Sequence, residues 1–131
     1  MATIKSYTDI EQSKKLAKIL PFESADMYYP WYIEEDRDNI KSGHRISIPS
    51  VGNFIHKVNI LPCWSLADLL SVLPKNLNIG RPSLESNYKG YYWIQYYDEF
   101  MKPSNYKTKC FDNPVDACYE LILKLHELKM L

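Results

Sequence analysis

Two short stretches decide the fold: PCWSLADLLSVLP at Pro62–Pro74 and YYWIQYY at Tyr91–Tyr97. In the first, Ser65 is a favourable N-cap and leucines recur at helical spacing until Pro74, which indicates a short amphipathic helix. The second stretch has the aromatic composition of a strand and carries rings on both faces. A helix that packs on an aromatic sheet predicts an α+β domain.

Two further helices are predicted on either side of these stretches. Thr8–Glu11 has the pattern of a capping box, and a helix is expected from about Asp9 to Leu20, before Pro21. The last helix begins with Asn113 as N-cap and proline at the first helical position. Its predicted buried stripe consists of Cys118, Leu121, Ile122, Leu125 and Leu128, with His126 on the wetter side.

Strand signals lie between the helices. They fall at Met27–Tyr29, Trp31–Ile33, Arg45–Ile48, Ile55–Leu61, Ser83–Ser86, Tyr91–Phe100 and Tyr106–Phe111, with a break at Lys102–Asn105. Their short lengths and hairpin spacing predict antiparallel pairing. We therefore expect the 131 residues to form a single α+β domain, residues 1–131, with three helices packed on a small, mainly antiparallel sheet.

The composition excludes several classes of protein. A hydrophobic content of 46% is too high for a disordered chain. The 16 basic and 16 acidic residues cancel, so no overall field attracts nucleic acid or an anionic membrane. The three cysteines have no paired spacing, and no apolar run has the length of a membrane span. We expect a cytoplasmic protein with reduced thiols, no cofactor and no membrane contact.

Cys63 is the only catalytic candidate that the sequence offers. It stands at the entrance of a predicted helix, where the helix dipole can stabilise a thiolate. Cys-Trp at a helix start resembles papain-like thiol enzymes over two residues, but Leu61-Pro62 replace the preceding Gly and Cys of that family. The simpler interpretation is preferred: Cys63 and Trp64 pack at the mouth of the helix.

Neither a metal site nor a nucleic-acid site has strong support. The acidic run Glu34–Asp38 fails as a calcium loop, because Ile40 and Ser47 stand where oxygen ligands are needed. The histidines and cysteines are too far apart in sequence for a zinc site. The segment Lys102–Lys109 carries Lys102, Tyr106, Lys107 and Lys109, which makes a weak single-strand nucleic-acid binder an alternative function.

The candidate binding residues are Tyr91, Trp93 and Tyr97, which share one face of the predicted strand. Burial inside the monomer is favoured for this face. The alternative is a contact surface for a protein partner or for a homodimer, since Tyr and Trp are preferred interface residues.

Four segments carry a resemblance to a known group of proteins: Glu11–Leu16, Glu23–Tyr29, Pro62–Leu66 and Asn113–Ala117. They resemble segments of small uncharacterised proteins from phages and mobile elements of gut Bacteroidetes. The resemblance implies an accessory role in a bacterial cytoplasm and assigns no catalytic residue. Our leading hypothesis is a non-enzymatic protein-interaction module, and the alternatives are a small thiol enzyme that uses Cys63 and the nucleic-acid binder.

Overall fold

The computed structural model describes residues 5–29, 44–45, 60–75 and 79–131. Within these ranges the chain has three helices and antiparallel sheets, which confirms the predicted α+β class. The helices are α1 (Ile10–Leu16), α2 (Leu66–Val72) and α3 (Pro114–Glu127). The strands are β1 (Met27–Tyr29), β2 (His44–Arg45), β3 (Leu61–Cys63), β4 (Arg81–Ser86), β5 (Tyr92–Tyr97) and β6 (Pro103–Lys107). The chain divides into two compact units. The first unit is Tyr7–Asp68, and the second unit is Leu69–Leu131 together with Lys5 and Ser6.

The first unit contains a three-stranded antiparallel sheet in the order β2-β1-β3, which we call the N-terminal sheet. Met27 of β1 lies opposite Cys63 of β3 and Arg45 of β2. Tyr29, Leu61 and Cys63 form a buried cluster, on which Tyr7, Ile10 and Met27 pack. The strands predicted at 31–33, 46–48 and 55–59 and the acidic run at 34–38 lie outside the described residues.

Helix α1 begins one residue later than the capping-box pattern predicts. Asp9 is the N-cap, and its carboxylate accepts the Gln12 N–H at 2.8 Å while the Gln12 side chain accepts the Asp9 N–H at 3.1 Å. Thr8 is fully buried instead, and its hydroxyl accepts the backbone N–H of Trp64 at 3.0 Å. The prediction of Thr8 as the cap is wrong because this distant contact occupies its side chain.

The second unit contains the sheet β4-β5-β6, which we call the hairpin sheet. Its first turn is closed by Asn87, whose side chain accepts the N–H groups of Lys89 and Tyr91 at 2.9 and 3.2 Å. Asp98 closes the second turn in the same way, by accepting the N–H groups of Phe100 and Lys102. Each turn therefore has a short polar side chain that replaces missing backbone partners.

The predicted break at Lys102–Asn105 is wrong. The turn lies earlier, at Asp98, and β5 therefore ends at Tyr97. Pro103 begins β6, a position where proline is tolerated because β6 is an edge strand.

Helix α3 packs on one face of β5. Asn113 caps it by accepting the Asp116 N–H at 2.8 Å, and Pro114 occupies the first turn, as predicted. The buried stripe is confirmed at Cys118, Leu121, Ile122 and Leu125. The prediction fails at Leu128, which is 51% exposed because it is the C-cap and no longer follows the helical face.

Candidate functional site

The two faces of β5 have different environments. Ile94 and Tyr96 are fully buried on the face that α3 covers. The Tyr96 hydroxyl donates to the carbonyl of Pro74 at 2.7 Å, and the Tyr106 ring meets the Tyr96 ring edge-on at 6.2 Å. Burial raises the pKa of the Tyr96 hydroxyl. This side of the strand is therefore core.

The opposite face carries the three predicted binding residues. Tyr91 is 46% exposed, and Trp93 and Tyr97 are half-buried. The antiparallel register brings residues of β4 to the same face. We call this surface the aromatic face, and it consists of Tyr91, Trp93, Gln95 and Tyr97 with Arg81, Ser83 and Glu85 of β4. The structure thus places Trp93 and Tyr97 on one face of the sheet, and Tyr91, directly before β5, is accessible.

Hydrogen bonds hold the centre of the aromatic face in place. The Gln95 amide donates to the carbonyls of Tyr96 and Ser104 at 2.8 and 2.9 Å, which satisfies a side chain only 6% exposed. The Tyr97 hydroxyl donates to the Glu85 carboxylate. This hydrogen bond raises the pKa of Tyr97, so the phenol stays protonated at neutral pH. A surface whose polar groups are already oriented loses little rotamer entropy when it binds.

A depression of about 510 Å³ opens at one end of the aromatic face. Its lining residues are Arg81, Pro82, Ser83, Glu85, Tyr97 and Met101. Met101 is 65% exposed and adopts φ +62°, a left-handed conformation that costs about 1–2 kcal/mol for a residue with a side chain. Sequence reasoning missed Met101 and Arg81, because a hairpin that brings them together has no local signature.

Cys63 does not have the environment of a thiol nucleophile. It is fully buried in β3, and burial together with the charge of Asp26 raises the pKa of its thiol to about 12. The thiolate is the reactive form, so this cysteine stays inert at neutral pH. Trp64 is also fully buried, and its indole N–H donates to the Ser24 hydroxyl at 3.0 Å. The geometry favours the packing interpretation of Cys63-Trp64.

The start of α2 contains an acidic pair that the sequence does not reveal. Ser65 donates its backbone N–H to Asp26 at 3.0 Å, and its hydroxyl also donates to that carboxylate. The same hydroxyl accepts the Asp68 N–H at 3.2 Å, as predicted for an N-cap. Burial and the charge of Asp26 raise the pKa of Asp68 to about 6. We assign this cluster a structural role, because its contacts cap the helix and connect it to residue 26.

The basic segment is arranged differently from a stacking platform for nucleic acid. Tyr106 turns toward Tyr96 on the α3 side of the sheet. Lys109 lies over the Phe111 ring, with its Nζ 5.5 Å from the ring centroid. Lys107 is exposed and lies opposite Gln95 in the register. The segment therefore presents exposed lysine side chains, while its Tyr106 ring packs against Tyr96 within the sheet.

No group of three or more His, Cys, Asp or Glu residues is placed to hold a metal ion in the described part of the chain. The described helices are all too short or too polar to cross a bilayer.

Comparison with known proteins gives no match: no family model, no curated protein and no solved structure matches this chain. A functional proposal therefore depends on the geometry of the aromatic face and on the resemblance of the four sequence segments.

Proposed function

We propose that this chain is a non-enzymatic interaction module that binds a protein partner through its aromatic face. The observation that carries the proposal is the exposure of the aromatic face: Tyr91, directly before β5, is 46% exposed, and Trp93 and Tyr97 of β5 are half-buried. Tyr and Trp supply large contact areas with few rotatable bonds, and both are enriched at protein interfaces.

The charges around this face favour a protein over a polyanion. Arg81 and Glu85 lie on the face itself, and Lys107 lies opposite Gln95 at its other edge. Both signs are therefore present within one sheet, and the whole chain has a formal net charge of zero. A protein surface with an apolar centre and mixed charges at its rim complements this arrangement.

We place this activity in a bacterial cytoplasm, as an accessory protein of a phage or mobile element. The resemblance of the four segments supports that setting. The three cysteines are free thiols, which agrees with a reducing compartment. The burial of Cys63 and the raised pKa of its thiol count against the thiol-enzyme alternative.

Site-specific photo-crosslinking tests the proposal. A photoreactive amino acid replaces Tyr91 on the aromatic face, and a second preparation carries it at Tyr88, which is 94% exposed at the turn between β4 and β5. Both proteins are irradiated in a Bacteroidetes lysate, and the captured protein is purified. We expect capture from position 91 and little from position 88.

Binding of the purified partner is then measured with matched variants. Tyr91→Ala is expected to raise the dissociation constant about ten-fold, because an interface anchor loses its ring. Tyr88→Ala serves as the control and is expected to bind like the wild type. Equal binding by the two variants overturns the aromatic face as the site. Salt-dependent retention on single-stranded DNA, without a protein partner, decides for the nucleic-acid alternative.

A further inference from the structure

We propose that the depression beside Tyr97 binds a short zwitterionic peptide, with the peptide carboxylate at Arg81 and its ammonium group at Glu85. The depression has a volume of about 510 Å³, and its described lining residues all belong to the second unit. Ligand pockets in proteins typically have volumes of about 300–1,000 Å³. The inference is independent of the proposed function, because it concerns a free small ligand and needs no protein partner.

The depression has opposite charges at its two ends. Arg81 and Glu85 both line it, and they lie on the same face of β4. Four residues of an extended strand separate their Cα atoms by about 13 Å. A free peptide carries the complementary charges, since its carboxylate and its ammonium group are at opposite ends of the chain. Charge complementarity therefore selects a dipolar ligand and fixes its direction.

The Tyr97 ring lies between the two charges. The register places Tyr97 opposite Arg81, while its hydroxyl donates to the carboxylate of Glu85. The Tyr97 side chain therefore runs along the face from the positive end to the negative end. Its hydrogen bond to Glu85 raises the pKa of Tyr97, so the ring adds no charge of its own at neutral pH. The ligand thus meets an uncharged aromatic surface between its two termini.

Apolar groups border the depression. Pro82 and Met101 are both lining residues, and Met101 is 65% exposed. Asp98 accepts the N–H groups of Phe100 and Lys102 at 2.8 and 2.9 Å, which holds the turn that presents Met101. A methionine side chain adapts to ligands of different shape. We therefore expect the peptide to have an apolar central residue.

The distance between the two charges selects the length of the ligand. An extended peptide of three residues spans about 10 Å, and the Arg81 and Glu85 side chains cover the remaining distance. The Arg81 guanidinium can hold the peptide carboxylate with two parallel hydrogen bonds. The Glu85 carboxylate has acceptor positions for an ammonium group besides the one that the Tyr97 hydroxyl uses. A single amino acid is too short to reach both ends.

A titration with the tripeptide alanyl-leucyl-alanine, followed by NMR, tests the proposal. The protein is isotopically labelled at its methionine methyl groups, and Met101→Leu identifies the Met101 signal. We expect this signal to shift and to saturate with a dissociation constant of about 1 mM or lower. Amidation of the peptide's C-terminus and acetylation of its N-terminus should each raise that constant about ten-fold, because each removes one charge. A Met101 signal that does not shift at about 10 mM peptide overturns the site. An affinity that either modification leaves unchanged overturns the assigned termini.

Matched variants assign each terminus of the peptide to one residue. Arg81→Gln is expected to weaken binding of the unmodified peptide about ten-fold and to abolish the effect of amidation. Glu85→Gln keeps an acceptor for the Tyr97 hydroxyl and is expected to abolish the effect of acetylation. Lys102→Gln removes an exposed cation from the neighbouring turn and should leave the affinity unchanged. Equal losses for Arg81→Gln and Lys102→Gln overturn Arg81 as the carboxylate site.

The titration separates this inference from the proposed function. It contains no protein partner, so a failure of peptide binding leaves the crosslinking result at Tyr91 as it stands. Failure to capture a partner through Tyr91 likewise leaves the peptide titration as it stands. Circular dichroism of each variant confirms that it is folded, so a lost affinity is a loss at the depression.

Discussion

The two sheets of this protein are built by different means. The hairpin sheet consists of consecutive strands with local turns, and α3 covers one of its faces. The N-terminal sheet depends on contacts between distant residues: Thr8 donates to and accepts from the backbone of Trp64, and the Tyr29 hydroxyl donates to the Thr8 carbonyl at 2.7 Å. The comparison teaches that local turns and the cover of α3 position the hairpin sheet, whereas the N-terminal sheet also needs buried hydrogen bonds between residues far apart in sequence.

The largest effect is expected under α3. Leu125 is fully buried, and Leu125→Ala should lower the free energy of unfolding by about 2–5 kcal/mol through lost apolar contact and a cavity. His126 is exposed on the same helix, and His126→Ala should change it by less than about 0.5 kcal/mol. Urea denaturation of both variants measures the difference. A large loss at His126 with none at Leu125 would contradict the assigned helix face.

A pair of glycines tests how tightly the hairpin sheet is packed. Gly80 and Gly90 both have positive φ, +90° and +86°, so alanine is strained at either position. At Gly80 the new Cβ would also overlap the carbonyl oxygen of Tyr97, whereas at Gly90 it would meet open space. Gly80→Ala should therefore cost about 1–3 kcal/mol more than Gly90→Ala in thermal denaturation. Equal costs would mean that Gly80 is not confined by β5.

Two buried threonines allow the role of polar groups to be compared directly between the sheets. Thr8 accepts the Trp64 N–H, and Thr108 accepts the Ile94 N–H, each at 3.0 Å. Thr8→Val should cost about 1–3 kcal/mol, because a buried N–H loses its acceptor. Thr108→Val should cost less, since Thr108 retains 9% exposure whereas Thr8 is fully buried. If Thr108→Val cost more than Thr8→Val in chemical denaturation, buried hydrogen bonds would not matter more for the N-terminal sheet than for the hairpin sheet.

The smallest effect concerns pH. The pKa of Asp68 is raised from 3.8 to about 6, so the folded state holds a proton that the unfolded state has released between those values. Stability should therefore fall as the pH rises through this window. Asp68 is only half-buried, so solvent screens part of its repulsion with Asp26 and the loss should be about 1 kcal/mol.

Asp68→Asn should remove this dependence and raise the melting temperature at pH 7. Glu120→Gln, at an exposed position of α3, is the control and should leave the pH profile unchanged. A lower melting temperature for Asp68→Asn at pH 7 would show that the carboxylate stabilises the start of α2.

The sequence predicts those parts of the fold that short-range chemistry determines. Ser65 and Asn113 are recognisable caps because each acts on the residue three positions later. The strand Tyr92–Tyr97 is recognisable from its aromatic composition. Thr8 is misassigned because its partner, Trp64, is 56 residues away.

The candidate site is predictable to a similar extent. The sequence predicts that Tyr91, Trp93 and Tyr97 share one face, because side chains alternate between the two faces of a strand. The contributions of Arg81, Glu85 and Met101 follow from the register with β4 and from the turn at Asp98. The face of β5 that α3 covers is determined by tertiary packing, so the composition of the strand does not predict it.

The three cysteines differ in burial, so the rate of thiol modification can report the opening of each unit. Cys110 is exposed, while Cys63 is buried in the first unit and Cys118 in the second. A thiol reagent therefore modifies Cys110 at once, and each later modification waits for one unit to open. Mass spectrometry after a timed pulse of the thiol reagent would measure the rate at which each unit opens in the wild-type chain. Modification of Cys110 would show that the reagent had reacted completely with an exposed thiol.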